Sequence, residues 1–177
     1  MAADYLISSL QPLTLNGAAP YTAAQFLELC RAQLNARQVN ALAAILQDQP
    51  IASPTGPAAL WVDLSTQLRN AIAAERARAK GLDPAKWRHP VDGCSLYWAN
   101  RVQTAFQEKD PAKRDLLLDQ VWWDAAGELT PPAAPLSAAA AFTYAIRLAR
   151  VLRRQALSAP AGNKVFDDLT AATKLDL

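Results

Sequence analysis

Few side chains in this sequence are of a type, and at a spacing, to do chemistry. The single histidine, His89, stands between Arg88 and Pro90, a loop context that reads as surface and not as a general base. The two cysteines, Cys30 and Cys94, are far apart, as expected of reduced thiols rather than a disulfide or a metal centre. Cys30 falls on an apolar helical face and reads as a small core residue; Cys94 has no adjacent basic cluster to activate it. The carboxylate pairs Asp115 with Asp119 and Asp167 with Asp168 read as solvated ion pairs or caps. No glycine-rich phosphate loop, metal-ligand spacing or nucleophile motif is present. The expectation is therefore a protein that is not an enzyme, with no catalytic, cofactor or metal residues.

What remains is recognition chemistry. Arg147, Arg150 and Arg154 recur at helical spacing and form a basic stripe. Beside it run Phe142, Ala145, Ile146, Ala149, Leu152 and Ala156, and Tyr144, Leu148 and Val151 continue the apolar surface on the other side. Two readings follow. The arginines pair with Asp115, Asp119 or Asp124 of a neighbouring helix, or they grip the carboxylates of an acidic protein partner, with Tyr144 and Val151 in the same contact. The adjacent Trp122 and Trp123 point to different sides of one helix, toward core, neighbour or partner. With 18 Lys and Arg against 16 Asp and Glu, a net charge of +2 argues against a nucleic-acid partner.

The elements that must carry these residues are helical. The chain has 177 residues, 51% of them hydrophobic, so one domain can bury a real core. About a fifth of it is alanine, which favours helix. Prolines punctuate it. Tyr5–Leu10 is apolar and reads equally as a short strand or a helical turn. Thr22 with Gln25, and Asn35 with Gln38, are capping-box patterns opening two nearly contiguous helices, an αα-hairpin or a bent pair. Pro57 starts a long helix to about Lys80, with Leu60, Leu64, Leu68 and Ile72 on its stripe and Gly81 as its stop. Asp83-Pro84 starts a single turn, and a helix follows from about Cys94 to Lys109. Asp110 and Pro111 are N-cap and first residue of the next, which fades near Gly127. Three prolines in 130–135 form a linker, a possible subdivision of the single domain near 130–136. Ser137 is placed to cap a helix to about Leu157, and a last helix runs from about Gly162 to Ala172 with Val165, Phe166 and Leu169. The fold class is all-α: about seven helices joined by proline-rich loops. No apolar run approaches the ~18 residues a membrane span needs, and the opening residues lack the basic stretch of a secretory signal, so the expected location is cytoplasmic.

Tyr5–Leu10 with Pro12-Leu13, Phe26–Cys30, Gly81–Pro84, and Val121–Asp124 with Glu128-Leu129 and Ala145–Leu148 are four places in which the chain resembles a bacterial family of unknown function encoded among the subunit genes of V-type ATPases. The chain departs from the pattern at Thr130–Pro135, where similar proteins carry bulky and charged residues, and in its alanine-rich final helices. The C-terminal part of that family is similar in pattern to the all-helical C (or d) subunit of rotary V-type ATPases, which links rotor shaft to membrane ring without doing chemistry. The resemblance implies a non-enzymatic subunit or assembly partner of a bacterial V-type ATPase, peripheral at the cytoplasmic face. Its partners would be ATPase subunits, with no nucleic acid, small-molecule substrate or membrane insertion. The other readings are a free-standing helical adaptor with an acidic protein partner, and a small-molecule or nucleic-acid binder using a cleft between helices.

Overall fold

The computed structural model describes residues 2–157 together with Gly162, Val165 and Thr170. Among the described residues there are seven α-helices and no strand, and 66% are helical. The helices are α1 (Ala2–Ser9), α2 (Ala23–Arg31), α3 (Ala36–Leu46), α4 (Pro57–Ala79), α5 (Leu96–Phe106), α6 (Pro111–Gly127) and α7 (Ala138–Ala156), with a single 3-10 turn at Pro84–Trp87. Gly162, Val165 and Thr170 are also helical; the rest of the helix expected from about Gly162 to Ala172 lies outside the described residues.

Local chemistry sets most boundaries. In both capping boxes the side chain of the cap accepts from the third helical amide while the glutamine there accepts from the cap's own N–H. Asp110 accepts from the amides of Ala112 and Lys113 at the head of α6. α4 ends in a Schellman motif: the Leu82 N–H donates to the Ala77 carbonyl and the Gly81 N–H to that of Arg78. Gly81 has φ +67°, a backbone most side chains resist. Ser137 departs from expectation. It precedes α7 but caps nothing, and its Oγ is buried without a hydrogen-bond partner.

The ambiguous opening segment is helical. α1 buries Leu6 against the core and packs on α7. The stripe expected for α4 holds at Leu68, which is fully buried, and at Leu64 and Ile72, which are partly buried, but fails at its start: Leu60 is 58% exposed and Trp61 faces inward instead, with Ala58 and Ser65. Spacing by four drifts around a helix of 3.6 residues per turn, so a run of leucines does not itself define the buried face. α5 likewise buries Trp98, Val102 and Ala105 and leaves Leu96 exposed.

α7 is the axis of the molecule. It touches α1, α2, α3, α4 and α6, and α5 packs on the outer side against α4 and α6. One cluster of buried residues runs through all seven helices. The alanines at 139, 141 and 145 let neighbours approach closely, while Phe142, Ile146, Leu148 and Val151 fill the space between them. Thr143 ties α7 to the end of α6, donating to the Ala126 carbonyl at 2.8 Å. The unusual width of apolar surface on α7 is thus accounted for by five neighbouring helices of the same chain.

Candidate functional site

The basic side of α7 lies on the acidic side of α6. The Asp110-Pro111 start of α6 sets the register that puts Asp115 and Asp119 one turn apart on one face. Opposite them α7 presents Arg150, Arg153 and Arg154. Asp119 is 2% exposed. Its Oδ2 accepts from Arg153 Nη1 at 2.9 Å and from Arg154 Nη1 at 3.3 Å, and Arg150 Nη1 lies 3.8 Å from Oδ1. Arg153 also grips Asp115 through both terminal nitrogens, at 2.8 and 3.1 Å. Three arginines therefore share two carboxylates. A planar guanidinium suits such sharing because its donors fan out in one plane.

Burial and charge pull these groups in different directions. The bidentate Arg153 holds the Asp115 carboxyl below its ordinary range. Burial pushes Asp119 up, against the opposing pull of Arg153 and Arg150. The bond to Asp115 raises Arg153, while burial lowers Arg150 and Arg147. Arg150 is the most enclosed cation of the group. Its guanidinium lies 5.3 Å from the Trp122 ring centre, and its Nε has no hydrogen-bond partner.

Arg147 is held differently. It donates from Nε to the Trp123 carbonyl at 3.2 Å and lies 4.9 Å over the Trp123 ring. Asp124 is taken by Arg101 of α5 at 2.7 Å and by Gln120 at 2.8 Å. Tyr144 is half-buried, stacked on Phe26 with ring centres 5.3 Å apart, and its hydroxyl donates to the Gln11 carbonyl. Burial pushes that hydroxyl up to about 12. Val151 has no exposed surface.

The five side chains expected to meet a partner, Arg147, Arg150, Arg154, Tyr144 and Val151, therefore do not form an open docking face. The arginines clamp α7 to α6, and the tyrosine and valine belong to intramolecular packing. Arg153, absent from the expected stripe, grips Asp115 through both terminal nitrogens and also reaches Asp119. The signal that could have found it is the four-residue step from Asp115 to Asp119, which matches the three- and four-residue steps among Arg150, Arg153 and Arg154.

Beside Arg150 a cleft of about 420 Å³ opens between α4, α7, the end of α3 with the loop after it, and Trp122 of α6. Trp61 and Trp122 meet edge to face in its wall, 5.6 Å between centres, and Arg69 reaches Asp48 at 3.1 Å. The residues of potential chemistry do not converge there. His89 is exposed, its backbone held by both groups of the Asn70 amide. Cys94 is exposed on the surface, and Cys30 is buried, its thiol pushed up to about 12. Among the described residues no group of three or more His, Cys, Asp or Glu is placed to hold a metal ion, and no helix is long and apolar enough to cross a membrane. No protein-family model, curated protein or solved structure matches the chain.

Proposed function

We propose that this chain is a non-enzymatic protein-binding subunit or assembly partner of a bacterial V-type ATPase, acting at the cytoplasmic face in the manner of a C/d coupling subunit. The observation that carries the reading is the spatial convergence of the segments that resemble the ATPase-linked family. The opening segment reaches α7 through α1 and through the bond from Tyr144 to the Gln11 carbonyl. Phe26–Cys30 lies in α2, which packs on α7, and Val121–Leu129 spans the α6 face and turn that α7 covers. Ala145–Leu148 is the middle of α7 itself. Three of the four segments thus meet around α7, as expected of residues that specify a common scaffold, while Gly81–Pro84 follows the end of α4 and is mostly exposed. An all-helical body in which no catalytic constellation forms among the described residues supports a mechanical or adaptor role over chemistry.

The test is a pull-down of the tagged full chain from the native membrane fraction, read by mass spectrometry. ATPase subunits should be retrieved at levels comparable to the bait and should fall away when salt is raised. If no ATPase subunit co-purifies under conditions where the ATPase itself stays assembled, the proposal fails. A second reading, a free-standing adaptor for an acidic protein, is supported by the excess of cations along the C-terminal half of α4, where Arg76 and Lys80 make no ion pair among the described residues.

A further inference from the structure

An open groove of about 900 Å³ lies between the C-terminal half of α4, the 3-10 turn and the junction of α5 with α6. Its apolar lining includes Ile72, Leu82, Trp87, Phe106 and Leu118. Trp87 is 56% and Leu82 47% exposed. Large apolar side chains scattered singly over a surface are ordinary; these two line one groove together with Ile72, Phe106 and Leu118.

The rim is cationic. Arg69, Arg76, Lys80 and Arg114 line it, with Asp115 as the only acid among its lining residues. Asp115 is already gripped by Arg153, and Arg69 by Asp48. Arg114 lies 5.6 Å over the Phe106 ring. That leaves Arg76, Lys80 and Arg114 without a carboxylate partner among the described residues. From Arg69 to Lys80 the groove follows about 17 Å of α4, three turns of helix.

We propose that this groove docks an acidic amphipathic helix from a partner protein. Its apolar face would lie on Trp87, Leu82 and Ile72, and its carboxylates would meet Arg76, Lys80 and Arg114. Charge complementarity selects this occupant. A second copy of the chain docked face to face would bring the same cations to the same rim, an arrangement of like charges that opposes docking. A nucleic-acid backbone would satisfy the cations but leave the apolar trough unused. A helix with leucines at helical spacing and glutamates beside them satisfies both. The inference rests on the protein-binding reading above but not on the identity of the partner.

The experiment measures fluorescence anisotropy of a labelled helical peptide of about 14 residues, long enough for the three turns of the groove, titrated with the full chain. The peptide has leucines at i, i+3, i+4 and i+7 and glutamates on the flanks; a matched peptide has lysine at each glutamate position. The glutamate peptide should bind, more weakly as salt rises, and the lysine peptide should not. Arg76→Glu with Lys80→Glu in one chain should weaken the glutamate peptide about tenfold or more and admit the lysine peptide. Trp87→Ala should weaken binding at low and high salt alike. Arg76, Lys80 and Trp87 are all exposed, so these variants should melt as the unaltered chain does. Equal binding of the two peptides, or unchanged affinity in both variants, overturns the proposal. So does binding of a single-stranded RNA probe, without peptide binding, that the double substitution abolishes. A glutamate peptide that binds only after Phe166→Asp and Leu169→Asp would assign the groove to the chain's own C-terminal segment and would also overturn it. The two proposals fail separately. ATPase retrieval without binding of the glutamate peptide would sink the groove alone; peptide binding without ATPase retrieval would sink the ATPase reading alone.

Discussion

Removing the Asp119 carboxylate should unbalance the charged seam between α6 and α7. In Asp119→Ala, Arg153 keeps both bonds to Asp115, and Arg154, whose side chain is 25% exposed, can turn to water. Arg150 cannot. Its side chain is 19% exposed, it lies against Trp122, its Nε is already unpartnered, and Asp119 is its only carboxylate within 4 Å among the described residues. Breaking a buried pair by deleting one partner costs about 3–5 kcal/mol. Because only one of the three arginines is stranded, the lower figure applies, about 3 kcal/mol. For a chain of this size each kcal/mol moves the melting midpoint by roughly 2–4 °C, giving a fall of about 6–12 °C. Urea unfolding followed by circular dichroism provides the free energy directly. The decisive comparison is Asp119→Leu combined with Arg150→Met, which removes carboxylate and stranded cation together. It should be less destabilised than Asp119→Ala alone, since apolar replacement of a whole buried pair is often neutral or better. If Asp119→Ala lies within about 0.5 kcal/mol of the unaltered chain, the range of ordinary surface substitutions, the seam does not hold α6 to α7 as argued.

Further outcomes are expected of other residues. The Asp115 carboxyl is held low by Arg153, so its contribution is fully present above the unfolded value of about 3.9 and is lost as pH falls through the lower folded value. Asp119, raised by burial, acts with the opposite sign. Arg153→Gln should therefore flatten the loss of melting temperature expected of the unaltered chain below about pH 4, read from thermal melts across that range. Leu68→Ala should cost about 2–5 kcal/mol in urea unfolding, because Leu68 is fully buried, while Leu60→Ala should change stability by less than about 0.5 kcal/mol. A thiol reagent at neutral pH should label Cys94 quickly and Cys30 only on unfolding, since Cys30 is buried and its thiolate disfavoured; two equally fast phases in the native protein would contradict the packing of α2.

Features whose partners lie within a few residues were legible in the sequence. The two capping boxes, the Asp110-Pro111 start and the Gly81 stop depend on hydrogen bonds spanning two to five residues, and the spacing alone predicts them. The all-helical class followed from the same local signals and the alanine content. Tertiary structure decided everything that required choosing among distant neighbours. It made Tyr5–Ser9 helical by giving Leu6 a place against the core, and it turned Trp61 inward where the leucine spacing favoured Leu60. The breadth of apolar surface on α7 was plain in the sequence, but whether a partner or the chain itself covers it depends on five helices brought together from along the chain. The same holds for the arginines. The sequence favoured the chain's own acidic helix but left an acidic partner open, because a guanidinium donates to any well-placed carboxylate. Asp119 became the answer for Arg150, Arg153 and Arg154 only when folding set it 34–35 residues away from the latter two yet 2.9 and 3.3 Å from their nitrogens. The groove at Trp87 and Leu82 had no counterpart in the sequence reading, because its walls come from α4, a 3-10 turn and the α5–α6 junction, and only their packing creates a shared concave surface.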